Sequence, residues 1–442
     1  MASPPLNAPP TPGPAPVLGE RSLPLVERYR DVRAFTESLT ADLAPEDQVV
    51  QSMEDVSPSK WHLAHTSWFW EAFVLEPHVR GYEPRDPRYA FLFNSYYVQA
   101  GERHCRAQRG YISRPGVDEV MAYRRHVDAA MSDFLEGLKD DVPEGLRYLV
   151  ELGLNHEQQH QELLLTDIKH VFAVNPLRPV YRAGPAGSGS GVTRTDPLSW
   201  IEFPGGVHWI GAPEIGQFVY DNEEPRHRRF LEPFALAHRP VTCGEYLEFM
   251  EDGGYRRPEL WLSAGWATAQ EQEWTEPFYW ESSGDQWTIF TLSGAREVDP
   301  AEPICHLSYF EADAYARWAG ARLPTEFEWE VAARTVPVTG NLADSGRFHP
   351  AAPDPSSSGP RLQQMFGEVW EWTRSQYEAY PGYRPAPGAV GEYNGKFMCN
   401  QFVLRGGSCA TSRSHIRAGY RNFFPPDACW QFSGLRLARD LG

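Results

Sequence analysis

Apolar residues recur at three- and four-residue spacing through four segments of the first 172 residues of the chain. This spacing is typical of helices that bury one face. The four segments follow one another with short gaps, and such a succession predicts a four-helix bundle. The predicted helices span residues 24–43, 57–77, 116–138 and 143–172.

The pattern changes near residue 182. Residues 182–198 are rich in Gly, Ser and Pro, which is typical of a linker. From residue 199 onward, short aromatic runs alternate with Gly, Pro and Asn, and a helical pattern occurs at 308–321. This texture predicts an irregular α+β domain. We therefore expect a disordered Pro-rich segment at 1–20, a helix bundle at 21–181, the linker at 182–198 and a second domain at 199–442.

Composition narrows the classes of protein to consider. The 442 residues exceed the ~250 at which single cores stop growing, which agrees with two domains. A formal charge of −18 disfavours nucleic acid and anionic membranes as partners. The sequence has no signal-like start and no apolar run of ~18 residues, so we expect a cytoplasmic protein. Its six cysteines show no C-x-x-C spacing, which argues against a disulfide framework.

A pair of histidines in NHEQQHQE is the first candidate for chemistry. His156 and His160 are one helical turn apart and continue an apolar stripe, so both imidazoles can reach one metal inside the bundle. The segment 57–77 supplies a third imidazole from a facing helix, either His65 or His62. The periodicity leaves these two open.

Three neutral nitrogen ligands suit Zn, Fe, Ni or Cu, and they leave coordination positions open for substrate or oxygen. The same letters also match His-Glu-x-x-His of zinc proteases, in which Glu157 would be the general base. A protease needs a further ligand nearby, and His170 is ten residues beyond His160. That separation is too long for His170 to bind the same metal, so a metallohydrolase is disfavoured, although it is kept as an alternative.

Two groups of motifs identify a family. SPSKWHLAHTSWFWE and NHEQQHQE resemble the DinB-like helix bundle of the ergothioneine-biosynthesis sulfoxide synthases, the EgtB family. WIGAP, RLPTEFEWEVAAR, GEVWEWT, LRGGSCAT and GLRLAR resemble the C-type-lectin-like fold of formylglycine-generating enzymes (sulfatase-modifying factors). The resemblance covers residues 24–442 and implies an α plus α+β protein. It maps the metal ligands onto His65, His156 and His160, and it leaves His62 outside the metal site.

The second domain does not imply formylglycine formation. Enzymes with that activity carry a cysteine pair shortly after the R-G-G-S segment, and this chain has Thr411 and Ile416 at those places. Cys409 follows Ser408 but lacks the partner. The domain is better interpreted as a wall and lid for a substrate, because function belongs to the site and not to the fold.

The resemblance implies a reaction. Family members join a thiol sulfur to the imidazole C2 of Nα-trimethylated histidine (hercynine), using O2 and non-haem Fe(II), and leave a sulfoxide. We expect Fe(II) as cofactor and hercynine, O2 and a cysteine-type thiol as substrates. The NSYY and RNFF segments differ from family members that take γ-glutamylcysteine, so free cysteine is favoured over γ-glutamylcysteine.

The resemblance also assigns residues for hercynine. Gln159 matches the family residue that hydrogen-bonds the imidazole of hercynine. Asn422, Phe423 and Phe424 match a segment that touches the rest of the molecule. Phe423 and Phe424 stand where other members carry Trp-Asp, so the trimethylammonium group is expected to rest on aromatic rings rather than on charge.

A proton donor and an anion-binding residue complete the predicted site. A tyrosine near the iron is implied by the family, and we assign this role to Tyr97, with Tyr96 second. The carboxylate of the thiol substrate calls for a guanidinium, which binds it through two parallel hydrogen bonds. Arg106 is the first choice and Arg103 the second.

Other functions remain as alternatives. An enzyme of the same architecture could form a selenium–carbon bond, or could be of the ovothiol type, although ovothiol enzymes typically add a methyltransferase domain. From a different class, the chain could be a binding module stabilised by a metal. Structural zinc sites normally use four protein ligands, whereas three are visible in this sequence.

Overall fold

The computed structural model describes residues 23–138, 142–184, 195–213, 218–284, 286–354 and 361–441. The predicted disordered segment 1–20 and the centre of the predicted linker lie outside the described residues. No helix in the described part of the chain is long and apolar enough to cross a membrane.

The N-terminal half is a bundle of four long helices, and shorter helical turns connect the second of them to the third. Helix α2 continues without a break into a π-helical turn at Glu71–Leu75. The helices are α1 (Leu25–Thr40), α2 (Ser59–Trp70), α3 (Glu76–His78), α4 (Tyr89–Phe93), α5 (Val117–Leu138) and α6 (Glu144–Val174).

Helix α5 buries the apolar face that its sequence spacing predicts. Val120, Tyr123, Val127, Met131 and Leu135 are three or four residues apart, and all five are buried. Helix α2 behaves differently, because every residue from Ser59 to Trp70 is buried and the helix has no solvent face. Its periodicity therefore could not show which histidine points to the metal site.

Helices α2 and α6 approach one another closely. A Cβ atom at Gly153 would lie only 2.4 Å from the ring of Trp70, so a larger residue at this position would push the two helices apart. This close approach brings the histidines of the two helices into one group.

The C-terminal half is an α+β domain with short strands. Its sheets have the orders β1-β4-β12, β2-β3, β5-β6-β7 and β10-β9-β8-β11. The strands are β1 (Trp200–Phe203), β2 (Gly206–Ile210), β3 (His227–Leu231), β4 (Phe234–Ala237), β5 (Trp280–Ser283), β6 (Gln286–Thr291), β7 (Gly294–Glu297), β8 (Trp370–Gln376), β9 (Phe402–Arg405), β10 (Asn422–Phe424), β11 (Ser433–Gly434) and β12 (Ala438–Asp440). The helices are α7 (Cys243–Glu251), α8 (Ser263–Glu271), α9 (Tyr309–Trp318) and α10 (Glu326–Ala333).

Local sequence explains the helix starts in this domain. Ser308 caps α9, because its hydroxyl oxygen accepts a hydrogen bond from the backbone N–H of Glu311. The carboxylate of Glu311 in turn accepts one from the backbone N–H of Ser308, which completes a capping box. Thr325 and Glu328 do the same for α10. The predicted helix at 308–321 is confirmed, with its cap at Ser308 and its last residue at Trp318.

Helix α6 contacts the second domain through several side-chain hydrogen bonds. Gln158 donates a 2.6 Å hydrogen bond to the hydroxyl of Ser414, and Ser412 donates one of 2.8 Å to Gln161. The helix therefore carries the metal-site histidines toward the bundle interior and polar side chains toward the second domain.

Candidate metal and substrate site

Three buried histidines form one group. His65 lies on α2, and His156 and His160 lie on α6. Each offers one side-chain nitrogen, and the three nitrogens lie within 4.8 Å of one another. The Nε2 atoms of His65 and His156 are 3.2 Å apart. Among the described residues, no other His, Cys, Asp or Glu joins this group.

The orientation of His65 is fixed by its neighbours. Its Nδ1–H donates a 2.5 Å hydrogen bond to the carbonyl oxygen of Phe93, so its Nε2 carries a lone pair. The Trp61 ring stacks on the imidazole with 4.6 Å between ring centroids. The ring is therefore held with its free nitrogen toward His156.

The protonation states of the three imidazoles suit a metal. Burial lowers the pKa of each, to about 3 for His156, and the neighbouring imidazoles lower the pKa of His65 and His160 further. All three are neutral at physiological pH, which is the form that binds a metal. A cation between the converging nitrogens would satisfy lone pairs that otherwise face one another, so the donor set fits a divalent transition metal.

Glu157 lies outside this group although it follows His156 in the chain. Its fully buried carboxylate accepts hydrogen bonds from Arg33 at 3.0 Å, Thr36 at 2.8 Å and Arg124 at 2.6 Å. Burial alone would raise the pKa of Glu157, but the two arginines hold it well below its usual value. A carboxylate held in this way is not available as the base of a zinc protease.

A cavity of about 190 Å³ lies between α6 and the second domain. Five residues assigned from the sequence line it, namely Tyr96, Gln159, Asn422, Phe423 and Phe424. The remaining lining residues are Glu162, Leu163, Thr166, Trp370, Tyr393, Asn394, Phe397, Tyr420, Arg421 and Gln431.

Gln159 joins the cavity to the second domain. Its Nε2 donates a 2.5 Å hydrogen bond to the hydroxyl of Tyr420, and the hydroxyl of Tyr393 donates to its Oε1. Neither tyrosine was predicted from the sequence. Both come from irregular segments of the second domain, in which no periodicity marks a functional position.

Three tyrosine rings form one cluster, and one of them, that of Tyr393, contacts His156. The rings of Tyr96 and Tyr97 are 4.6 Å apart between centroids, and that of Tyr393 is 5.7 Å from His156. Tyr97 is fully buried and packs against Trp68. Burial raises the pKa of all three phenols, so each keeps its proton at neutral pH.

Glu162 is a further residue that sequence reasoning missed. Its carboxylate accepts hydrogen bonds from Ser408 at 2.5 Å, Thr411 at 2.7 Å and the indole of Trp370 at 2.7 Å. It forms no ion pair with another residue in the part of the chain that the structure describes. Its position three residues after Gln159 places it on the same side of α6, and this spacing was the available signal.

The structure places Arg103, Arg106 and the nearby Arg109 in different environments. Arg106 and Arg103 are exposed and donate to the carbonyl oxygens of Asp55 and Ser95, and neither lines the cavity. Arg109 is buried, and its guanidinium lies 3.4 Å from the centre of the Trp61 ring. Arg109 is thus one ring away from His65.

Comparison with known proteins agrees with this architecture. The DinB superfamily matches residues 28–164, and the sulfatase-modifying factor enzyme 1-like domain matches residues 193–359 and 346–441. The chain is 34% identical over 413 residues to the hercynine oxygenase of Mycolicibacterium smegmatis, covering 87% of this chain and 92% of that protein. The chain belongs to the hercynine oxygenase family.

Two further relatives agree with this assignment. The hercynine oxygenase of Mycobacterium tuberculosis is 32% identical over 406 residues, covering 87% of this chain and 92% of that protein. Ergothioneine biosynthesis protein 1 of Schizosaccharomyces pombe is 28% identical over 240 residues, covering 51% of this chain and 28% of that protein. The predicted family and the predicted fold, a DinB-like bundle followed by a sulfatase-modifying-factor domain, are confirmed.

Proposed function

We propose that the chain is an Fe(II)- and O2-dependent sulfoxide synthase that joins a cysteine-type thiol to C2 of the hercynine imidazole, with free cysteine preferred. One observation carries the proposal: a group of three neutral histidines lies beside an aromatic cavity that contains a carboxylate. Membership of the hercynine oxygenase family supports the choice of substrate.

His65, His156 and His160 would hold the metal. Bound there, Fe(II) would supply the one-electron chemistry of O2 and would favour the thiolate form of the sulfur substrate. The protein supplies neutral donors, whose pKa values are lowered by burial, and so does not need to lose protons when the metal binds.

The cavity fits a molecule with an imidazole at one end and a quaternary ammonium at the other. Gln159 would orient the imidazole through its side-chain amide. Aromatic rings of the wall, to which Phe423 and Phe424 contribute, would contact the methyl groups, because a trimethylammonium offers no hydrogen-bond donor. One face of Phe423 is already stacked on Tyr377, with 4.0 Å between ring centroids. Glu162 adds a negative charge to this wall, so that charge contributes as well as the rings.

Asn422 is suited to the carboxylate of hercynine. Its Oδ1 accepts a 2.9 Å hydrogen bond from the amide of Phe423, which leaves the side-chain NH2 group to donate. Strand β10, which carries Asn422, pairs with β9, and this pairing holds the side chain at the cavity wall.

Proton delivery would come from a phenol. Tyr97 remains the first choice and Tyr96 the second, because both are protonated and their rings are in contact. Tyr393 is a third candidate, since its ring is 5.7 Å from His156 and its hydroxyl is bonded to Gln159. A phenol bonded to the residue that orients the imidazole could release its proton close to the reacting carbon.

The first experiment is anaerobic loading of the protein with Fe(II), followed by air, hercynine and either cysteine or γ-glutamylcysteine. Mass spectrometry should detect a hercynine–cysteine sulfoxide, and the comparison of thiols identifies the donor. H160A should abolish the product, whereas H170A, which changes a histidine on the same helix outside the group, should retain it. Iron-loaded protein that yields no adduct with either thiol contradicts the proposal.

A further inference from the structure

A histidine and a carboxylate stand behind the metal-site residue His160. The Nδ1 atom of His62 is 2.9 Å from Nδ1 of His160, and the Nε2 atom of His62 is 2.9 Å from Oδ2 of Asp167. His62 is 2% exposed and Asp167 is 3% exposed. The chain Asp167–His62–His160 thus runs through the core, from one turn of α6 across α2 and back to α6.

The direction of each hydrogen bond in the series Asp167–His62–His160 follows from the contacts of Asp167. Oδ2 of Asp167 already accepts the backbone N–H of Ser57 at 2.8 Å, so the carboxylate acts as an acceptor. A neutral His62 then donates through Nε2–H, and its Nδ1 carries a lone pair. His160 donates its Nδ1–H to that lone pair, which leaves Nε2 of His160 for the metal.

The three histidines of the group are therefore not equivalent. His65 donates its Nδ1–H to a neutral backbone carbonyl, that of Phe93. His160 donates to an imidazole that is itself bonded to a carboxylate. Hydrogen bonding of a ligand's second nitrogen to a carboxylate raises the basicity of the ligand and fixes its ring orientation. Here the imidazole of His62 lies between the carboxylate of Asp167 and His160 and transmits the effect of the carboxylate to His160.

We propose that His62 and Asp167 are positioning residues of the metal centre, which fix the tautomer of His160 and make it the strongest electron donor of the three histidines. The inference deepens the proposed metal site and does not depend on which substrates are used. It assigns a role to His62, which the sequence presented only as a competitor of His65.

The test measures metal binding and redox behaviour in the absence of substrate. Wild type, H62F, H62Q and D167N are prepared without metal and titrated with Fe(II) and Co(II), and the Fe(III)/Fe(II) potential is measured anaerobically. H170Q is the matched control, because His170 is a buried histidine on the same helix. It is bonded to Ser52 and is not part of the series Asp167–His62–His160. Thermal unfolding of every variant separates loss of folding from loss of metal.

H62F should weaken metal affinity by roughly 10- to 100-fold, the usual effect of removing an outer partner of a ligand. H62Q should restore much of it, because an amide can accept from His160 and donate to Asp167. H62F and D167N should both raise the potential, because a weaker donor stabilises Fe(III) less, and both should shift the Co(II) absorption spectrum. H170Q should change none of these quantities.

Two results would overturn the inference, and they differ from one another. If wild type binds neither Fe(II) nor Co(II), the proposed metal site itself is wrong. If wild type binds metal, but D167N and any folded His62 variant have the metal affinity, spectrum and potential of wild type, the metal site is correct and the role proposed for His62 and Asp167 is wrong. If H62F does not fold, the comparison of D167N with H170Q tests the proposed role of the Asp167–His62 pair.

Discussion

Arg124 donates a 2.6 Å hydrogen bond to Glu157, the residue that immediately follows the metal-site histidine His156. The consequence is that the two residues, adjacent in sequence, serve different parts of the molecule. His156 faces the candidate metal site, and Glu157 neutralises two arginines in the bundle core. The pattern His-Glu-x-x-His therefore has a structural reason for its glutamate that does not involve hydrolysis.

The first prediction concerns stability. E157Q removes the fully buried negative charge between Arg33 and Arg124 and leaves them only their more exposed partners, Asp128 and Glu37. The loss should cost about 3–5 kcal/mol of unfolding free energy. Urea unfolding measures the change. The control E136Q, at an exposed ion pair with Arg30, should leave the unfolding midpoint nearly unchanged. Equal midpoints for the two variants would show that Glu157 does not hold the core together.

The second prediction concerns acid. Burial raises the pKa of Glu157, but Arg33 and Arg124 lower it by more, so the pKa in the folded protein is below its ordinary value of 4.5. A lowered folded-state pKa gives stabilisation that is fully present above the unfolded-state value and is lost as pH falls toward the folded-state value. The unfolding free energy of wild type should therefore fall more steeply below pH ~4.5 than that of E157Q. Parallel curves would contradict this.

The third prediction concerns the phenols. Y97F should reduce sulfoxide formation by roughly 10²- to 10⁴-fold, the usual contribution of general acid catalysis, while oxidation of the thiol continues. Y96F and Y393F measure the alternatives, and mass spectrometry with an oxygen electrode separates the two products. Y111F is the control, because Tyr111 is 82% exposed. Unchanged product ratios in all three site variants would remove the phenols from the reaction.

The fourth prediction concerns Glu162. E162Q keeps the shape of the side chain but removes the charge, so the KM for hercynine should rise about 10- to 100-fold, as for a lost charged interaction. Imidazole propionate, which lacks the ammonium, should bind equally to wild type and E162Q. The prediction fails if both compounds lose affinity by the same factor, because Glu162 would then shape the cavity without recognising charge.

The fifth prediction concerns the thiol. Arg106 is exposed, is bonded to Asp55 and lies outside the cavity. If its guanidinium nevertheless binds the thiol carboxylate, R106A should raise the KM for the thiol by roughly one to three orders of magnitude through the loss of a charged hydrogen bond, and R103A is the second variant to measure. R88A is a matched control, because the Arg88 side chain is 83% exposed and pairs with Asp86. A KM equal to that of R88A would exclude Arg106 from the thiol site. Arg109, which is buried against Trp61, would then be the next arginine to test.

The helices of the bundle were predictable because one face of each repeats at helical spacing, as α5 shows. The choice between His62 and His65 was not, because both are buried on a helix without a solvent face. Only the family motif favoured His65, and the structure adds what His62 contacts. Glu162 was detectable in principle from its spacing to Gln159. Tyr393 was not, since it enters the site from a segment that is more than 200 residues away and has no regular pattern.

The contact between α6 and the second domain has a consequence for how the protein unfolds. The metal group is built wholly from the bundle, whereas the cavity takes its walls from both halves. A ligand that binds only the joined state stabilises that state by mass action. A metal should thus stabilise the bundle directly, whereas hercynine should stabilise the contact between the two halves.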